Sequence, residues 1–497
     1  MPSGLILAID QGTTNTKALL VDSKGKRVFG TSLPLALIVN GQGQVEQDPN
    51  ALWDSVLHVV SECISYTEQT GNSIVAVGIS NQRETAVAWD GETGEPISNA
   101  ISWQCVRSSA ICERLKPHAG AIRSKTGLPL ATLISGGKWA WMLENNPKAE
   151  ASAKNGTLRF GSVDSWLVHR CTGGASHVTD LSNASRTGLL NLEQLTWDPE
   201  LLNVFGIPQA AMPELRSSSG FFGSCQILPG LEGVPILAAI GDSHAAMFGH
   251  GRYASGTVKA TYGTGSSLMA LTSGLAADTP ALARTVAWSI DGQTRFALEG
   301  NITMTGSAVQ WVGEFLHLEH PAKQAAGLAE TVNDADGVYF VPAMVGLGAP
   351  HWDAAARGTI SGLGRSHTAA HLARAAVDAI AYQVADVFDA MQEASGLAFA
   401  ALHADGGATC NHALMQFQAD ILGIPVLRSS NEELSAIGAS WLAGLALGWW
   451  AGLPEIEALP LETDRFTPTM EVRGRNLLCA GWKTAVKRAR LTAEAGA

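Results

Sequence analysis

Twice the chain sets an apolar run, a glycine-bearing polar turn and a second apolar run in succession. Residues 5–22 read LILAIDQGTTNTKALLVD, and residues 256–273 read GTVKATYGTGSSLMALTS. A hairpin turn needs only two to five residues, usually around Asn-Gly or Asp-Gly. DQGTTNTK holds an acid, a glycine and three threonines, more polar groups than a turn demands. The repetition is the weak signature of a duplicated α/β unit, with two domains facing one another across a central cleft. A length of 497 residues agrees, because one core does not organise so long a chain. The expected division is 1–250, 256–450 and a C-terminal extension, 451–497, packing on the core. The glycine-rich stretch 249–256 is the expected hinge.

Between these landmarks strand-like and helix-like runs alternate. Strands are expected at 5–9, 18–21, 74–79, 236–240, 337–342 and 402–404. Helices are expected at 51–67, with Asp48-Pro49 as cap and first turn, at 369–394 and, rich in small residues, at 435–447. A composition of 46% hydrophobic and 16% charged residues excludes a disordered chain. The net charge of −12 argues against nucleic-acid binding, which needs basic patches, but leaves room for a small anionic ligand. The longest apolar stretch, 441–453, is short and glycine-interrupted, so no membrane span is expected. The start, MPSGLILAID, has neither a basic region nor a cleavage site, so no signal peptide is read. Seven cysteines without CxxC spacing read as reduced thiols in a cytoplasmic protein.

Five strand ends carry chemistry. In DQGTT, backbone amides and hydroxyls suit phosphate oxygens, and Asp10 suits a hydrated Mg²⁺; an ordinary polar turn is the alternative. GTG at 263–265 and DGGA at 405–408 are further glycine turns open to close approach by a nucleotide. There is no GxxxxGK[ST] and no GxGxxG, which excludes P-loop and Rossmann sites. In NQRET, the Arg83 fork beside the Glu84 acceptor suits a polyhydroxylated ligand; a surface ion pair is the alternative. In GDSH, Asp242 follows a strand, where α/β sheets bind ligands, and a carboxylate there takes the proton of an attacking hydroxyl. The alternative for Asp242 is a helix N-cap. His244 reads as a packing or capping residue.

With DQGTT, NQRET, GD and DGGA in this order, the chain resembles the FGGY carbohydrate kinases, and among them the glycerol kinases. SNQRETAV, AISWQCVRS, GSVDSWL, VTDLSNASRTGLLN, YGTGSS, LEGNITMTGSAVQW, VPAMVGLGAPHWDAAARG, ALMQFQADILG and AGWKTAVKRA carry the likeness almost end to end. The second family signature is complete, from GTISGL at 358–363 to HLARAAVD at 371–378. The first survives as SGGKWAWMLEN from Ser135, with Leu133 at its leading aromatic position.

The resemblance implies an actin-like (ribonuclease H-like) α/β fold, with ATP held in the cleft between duplicated domains. It implies Asp10 at the metal, and Thr13, Thr14, Asn15 and Lys17 at the phosphates. Lys17 stands where many glycerol kinases have arginine. Thr264 would reach the phosphates from the second domain, with Gly306, Gln310, Gly407 and Asn411 lining the adenosine pocket. Arg83, Glu84, Trp103 and Asp242 would hold the acceptor, Asp242 as the base. A homodimer or homotetramer is expected by family analogy alone.

Three positions depart from the family pattern. Leu133 replaces a usual tyrosine, Ser243 a glutamine and Ser267 an aromatic, all at the acceptor pocket by this alignment. Family drift with glycerol retained is one reading; a roomier pocket for a longer polyol or ketose is the preferred one. The loop PGLEGVPI, 229–236, lacks the glycine-arginine pattern of kinases regulated by fructose bisphosphate, so no such control is expected. The expected activity is transfer of the γ-phosphoryl group of Mg-ATP to a terminal hydroxyl of a small polyol or sugar. An ATPase clamp on the same fold, without an acceptor, is the alternative of another class.

Overall fold

Three parallel strands, Gly4–Gln11, Ser73–Asn81 and Pro235–Gly241, end level with one another: Gln11 and Gly241 both pair with Asn81. The structure, a computed structural model, describes residues 4–41 and 43–491. Residues 1–3 of the N-terminal stretch, Gln42 and residues 492–497 of the expected extension lie outside the described residues. The chain forms two units, each discontinuous in sequence. The first is Met1–Tyr253, Arg284–Phe296 and Glu433–Pro460; the second is Ala254–Ala283, Ala297–Glu432 and Leu461–Ala497. The change between Tyr253 and Ala254 falls inside the glycine-rich stretch 249–256. Residues 433–450, expected with the second domain, pack with the first unit, and the 451–497 segment is shared between the two.

In the first unit the sheet runs in the order Ala283–Ile290, Ser219–Ser224, Pro235–Gly241, Ser73–Asn81, Gly4–Gln11, Asn15–Val21, Arg27–Pro34. The opening strand pair is antiparallel, from Ile6↔Val21 to Gln11↔Thr16, so the DQGTT turn lies at the same edge as the three level strand ends. The helix Pro49–Thr70 begins as expected: the Asp48 carboxylate accepts the Asn50 N–H, Pro49 is the first residue, and Gly71 closes it at φ 68°. Its Leu52, Trp53, Val56, Val59, Val60 and Cys63 are buried, most in one cluster with the strand residues Leu5, Leu7, Ile9, Ala18 and Leu20.

Small residues let the helix Leu434–Leu447 lie almost backbone to backbone on its neighbours. A Cβ at Gly438 would meet the Ala245 carbonyl at 1.9 Å, one at Gly249 the Leu434 carbonyl at 2.4 Å, and one at Gly78 the Ala439 carbonyl at 2.5 Å. Gly249 ends the helix Asp242–Gly249, so this close packing fixes the element that carries Asp242.

The second unit orders its strands Thr463–Phe466, Val426–Ser429, Leu402–Asp405, Val258–Tyr262, Ser266–Leu271 and, from Ala297 on, Gln293–Ile302. Val258–Tyr262 and Leu402–Asp405 are parallel, with Thr261 opposite Asp405. Their following loops, GTG and GGA, therefore leave the same edge. The long helix Ala369–Ser395 lines the core of this unit through Ala373, Ala376, Ile380, Val384 and Val387. Among the described residues no helix is long and apolar enough to cross a membrane.

Candidate active site

The level ends of the parallel strands bring Asp10, Arg83 and Asp242 to one edge of the first unit, the edge where α/β sheets bind ligands. Arg83 Nε stands 3.2 Å from Asp242 Oδ1, with side-chain exposures of 10% and 38%. Asp242 is thus anchored but open to a ligand. It is the first residue of its helix, with Gly241 at the N-cap, and its Oδ1 accepts the Ser243 N–H at 2.6 Å. The N-cap alternative is therefore corrected. So is the surface ion pair: Arg83 pairs with Asp242, while Glu84 is buried and pairs with Arg186 at 2.6 Å. His244 is buried, with Nε2 3.1 Å from Thr285 Oγ1.

Glu84 takes φ 60°, a left-handed conformation that costs a non-glycine residue about 1–3 kcal/mol. The Thr85 N–H donates to the Arg83 carbonyl at 2.7 Å across it. Ser135 Oγ and Lys138 Nζ both donate to the Glu84 carbonyl, at 3.1 and 3.2 Å. Lys138 also donates to the carbonyl of Leu133, which is half-buried. Trp103 Nε1 donates to Thr13 Oγ1 at 2.9 Å, and the Trp103 N–H donates to Thr85 Oγ1 at 3.2 Å.

The DQGTT turn is pinned by amides that the sequence reading passed over. Gln82 Nε2 donates to Gln47 Oε1 at 2.8 Å and to the Gly12 carbonyl at 3.2 Å. Gln47 Nε2 donates to the Thr13 carbonyl at 2.9 Å, and Thr13 Oγ1 donates to Gln82 Oε1 at 3.3 Å. The Thr13 hydroxyl thus ties the turn to the Trp103 segment. Thr14 is exposed, and Asn15 Nδ2 donates to its hydroxyl at 3.1 Å. Lys17 Nζ lies 4.0 Å from Glu433 Oε1, and Arg27 lies 3.2 Å from Glu433 Oε2.

Asp10 accepts a hydrogen bond from Ser80 Oγ at 2.7 Å. Burial pushes its carboxyl up to about 6, and the nearby Asp242 charge adds to the rise. A divalent cation would reverse this by favouring the carboxylate. Among the described residues there is no cluster of three or more His, Cys, Asp or Glu side chains able to hold a metal ion. The chemistry fits Mg²⁺ arriving with its own phosphate and water ligands and meeting one or two carboxylates.

In the second unit, Gly306 opens the helix Gly306–Phe315 against the GTG turn. The Thr305 and Ser307 N–H groups donate to the Thr264 carbonyl at 3.0 and 3.1 Å, and the Gly306 N–H donates to the Gly263 carbonyl at 3.0 Å. A Cβ on Gly306 would meet the Gly263 carbonyl at 2.7 Å. Gln310 is exposed one turn on, its amide donating to Glu314. Gly406, at φ 94°, packs against the Tyr262 backbone, which joins the DGGA loop to the GTG turn. Gly407 is exposed with open space beside it, and Asn411 caps the helix His412–Leu422 by accepting the Leu414 N–H. Ser267 also belongs to this unit, not to the one that holds Arg83, Leu133 and Asp242; its hydroxyl donates to Glu299 at 3.3 Å.

Known proteins bear on this arrangement. The chain matches the family model for the N-terminal domain of the FGGY family of carbohydrate kinases over residues 5–249, and that for the C-terminal domain over 258–447. A glycerol kinase of Burkholderia vietnamiensis is 44% identical, covering 99% of both chains. The crystal structure of Plasmodium falciparum glycerol kinase with ADP matches with a TM-score of 0.93 at 31% identity, covering 98% of each chain. A ligand-bound xylulose kinase from Lactobacillus acidophilus matches at 0.87 with 25% identity, over 99% of this chain and 98% of that one.

Proposed function

The chain belongs to the FGGY family of carbohydrate kinases, and from that premise we propose how its residues move the γ-phosphoryl group of Mg-ATP onto a hydroxyl of a polyol larger than glycerol. The enzyme is a phosphotransferase with an alcohol as acceptor. Such transfer is mostly positioning and charge neutralisation. Asp242 takes the hydroxyl proton as the nucleophile forms. Arg83 orients that carboxylate and donates to acceptor hydroxyls, and the Glu84 carboxylate accepts from them. Trp103 forms the apolar wall. Asp10 meets the Mg²⁺ of the nucleotide, while the amides and hydroxyls of Thr13, Thr14 and Asn15 and the charge of Lys17 receive the phosphates. Thr264, Gly306, Gln310, Gly407 and Asn411 receive the rest of the nucleotide. All seven cysteines are free thiols, which supports a reducing, cytoplasmic setting.

The observation that carries the assignment is the Arg83–Asp242 pair at 3.2 Å on the shared strand edge, with Asp242 open to a ligand. An ATPase clamp has no use for such a pair. The larger acceptor rests on Leu133 and Ser243, which offer an aliphatic group and a short hydroxyl where the family pattern has a ring hydroxyl and an amide. Glycerol itself is the second reading, favoured by 44% identity to a glycerol kinase over 99% of the chain. An acceptor panel with Mg-ATP separates the two. A four- or five-carbon polyol or ketose is expected to exceed glycerol in kcat/KM by about tenfold, the scale of filling a pocket by one or two carbons. A clear preference for glycerol makes the second reading the right one.

A further inference from the structure

Lys138 has no exposed surface, although it lies in the first turns of the helix Ser135–Asn145. That is a poor place for a cation. The helix N-terminus is itself positive, and a buried ammonium is costly unless its protons are all bonded. The side chain runs back toward the helix start, as helical side chains do. Its amine donates to the carbonyls of Glu84 at 3.2 Å, Ile134 at 3.5 Å and Leu133. Three carbonyls match the three protons of an ammonium. Two of them belong to the segments assigned above to the acceptor. From another direction Arg186 Nε donates to Glu84 Oε1 at 2.6 Å, with 2% and 6% of the two side chains exposed. A left-handed turn is therefore gripped at its backbone by one buried cation and at its side chain by another.

We propose that Lys138 and Arg186 are positioning residues for the phosphoryl acceptor: they lock the Arg83–Glu84–Thr85 turn and set its distance from Leu133, so that a cation at 138 governs acceptor affinity and leaves nucleotide affinity alone. The inference rests on the assignment of Arg83 and Glu84 to the acceptor.

The Lys138 amine is lowered by burial to about 8, with the Glu84 charge opposing the fall. It is an ammonium at neutral pH and loses a proton on passing about pH 8. The neutral amine then has two protons for three carbonyls. The other groups facing it are the thiols of Cys105 and Cys112 and, behind them, Arg107, whose Nε lies 3.1 Å from Cys105 Sγ. Burial pushes the Cys112 thiol above its ordinary range, so it titrates after Lys138.

The test is steady-state kinetics of the full chain with Mg-ATP and its best acceptor across this range. As pH rises through about 8, the acceptor KM of the parent enzyme should climb about tenfold, the scale of one hydrogen bond from a charged donor, while the ATP KM stays flat. Lys138→Met should raise the acceptor KM by a similar factor at neutral pH and abolish the pH-dependent climb. A parent acceptor KM that stays flat, or an ATP KM that climbs with it, overturns the proposal, and this measurement decides even if Lys138→Met does not fold. Arg83→Ala separates the two levels. If it leaves the acceptor KM unchanged, the acceptor assignment itself is wrong. If it raises that KM while folded Lys138→Met does not, only the clamp is wrong.

Discussion

Asp242→Asn is expected to lower kcat by about 10²–10⁴-fold, the range that a positioned general base commands. Asparagine keeps the size of the side chain and an oxygen for the Ser243 N–H, now met at 2.6 Å. The lost property is the ability to take a proton at a site 3.2 Å from Arg83 Nε. Because the ion pair is lost as well, some rise in acceptor KM should accompany the fall in kcat, while ATP affinity holds. Single-turnover measurements with saturating acceptor isolate the chemical step. A kcat equal to that of the parent would remove Asp242 from the role of base and leave it as the anchor of Arg83.

Arg186→Met should destabilise the fold by about 3–5 kcal/mol, the usual cost of removing one partner of a buried ion pair. The reason lies in Glu84. Its carboxylate is nearly out of reach of water and takes 2.6 Å contact from Arg186, and the backbone that carries it is already in a left-handed turn. Without the guanidinium the carboxylate must lose solvation uncompensated or drag the turn open. Urea unfolding measures the loss. The double variant Glu84→Gln with Arg186→Met should recover much of it, because the unpaired charge is then gone, and the cycle gives the coupling between the two residues. A single-variant loss below about 1 kcal/mol, the level of an exposed pair, would mean the pair is not buried in solution.

The elements that position the site were legible because their signals are local. The apolar run at 74–79 became the strand Ser73–Asn81, 402–404 became Leu402–Asp405, and 369–394 became the helix Ala369–Ser395. Asp48-Pro49 marked its helix start to the residue. Period-two and period-3.6 patterns and capping chemistry need only neighbouring residues. The strands Ala283–Ile290 and Gln293–Ile302 went unread although only the Asp291-Gly292 turn separates them, and so did the return of residues 433–460 to the first unit, which depends on partners far along the chain.

The same distinction holds at the site. Asp10, Arg83 and Asp242 announce themselves as polar residues closing apolar strands. Arg186 does not: it sits in ASRTG, 102 residues from Glu84, and only the fold joins them. Lys138 had a signal that was passed over, a lone cation among the apolar residues of GGKWAWML. Gln82 stood inside NQRET but was passed over for its charged neighbours, and Gln47, neutral and without a motif of its own, offered no signal.

The helix Leu434–Leu447 gives synthesis of this enzyme a late deadline. It touches the backbone of the Asp242 helix at Gly438 and of the central strand at Gly78, yet it is made only after nearly the whole second unit. A nascent chain emerging N-terminus first folds its domains in order where it can. Here the first unit has to wait, with the apolar ground beneath that helix uncovered, until residues 433–460 have left the ribosome. A gene cut near residue 250 therefore yields a sticky fragment with the Asp242 helix unsupported, whereas supplying the missing helix in trans is the way to make such a fragment whole.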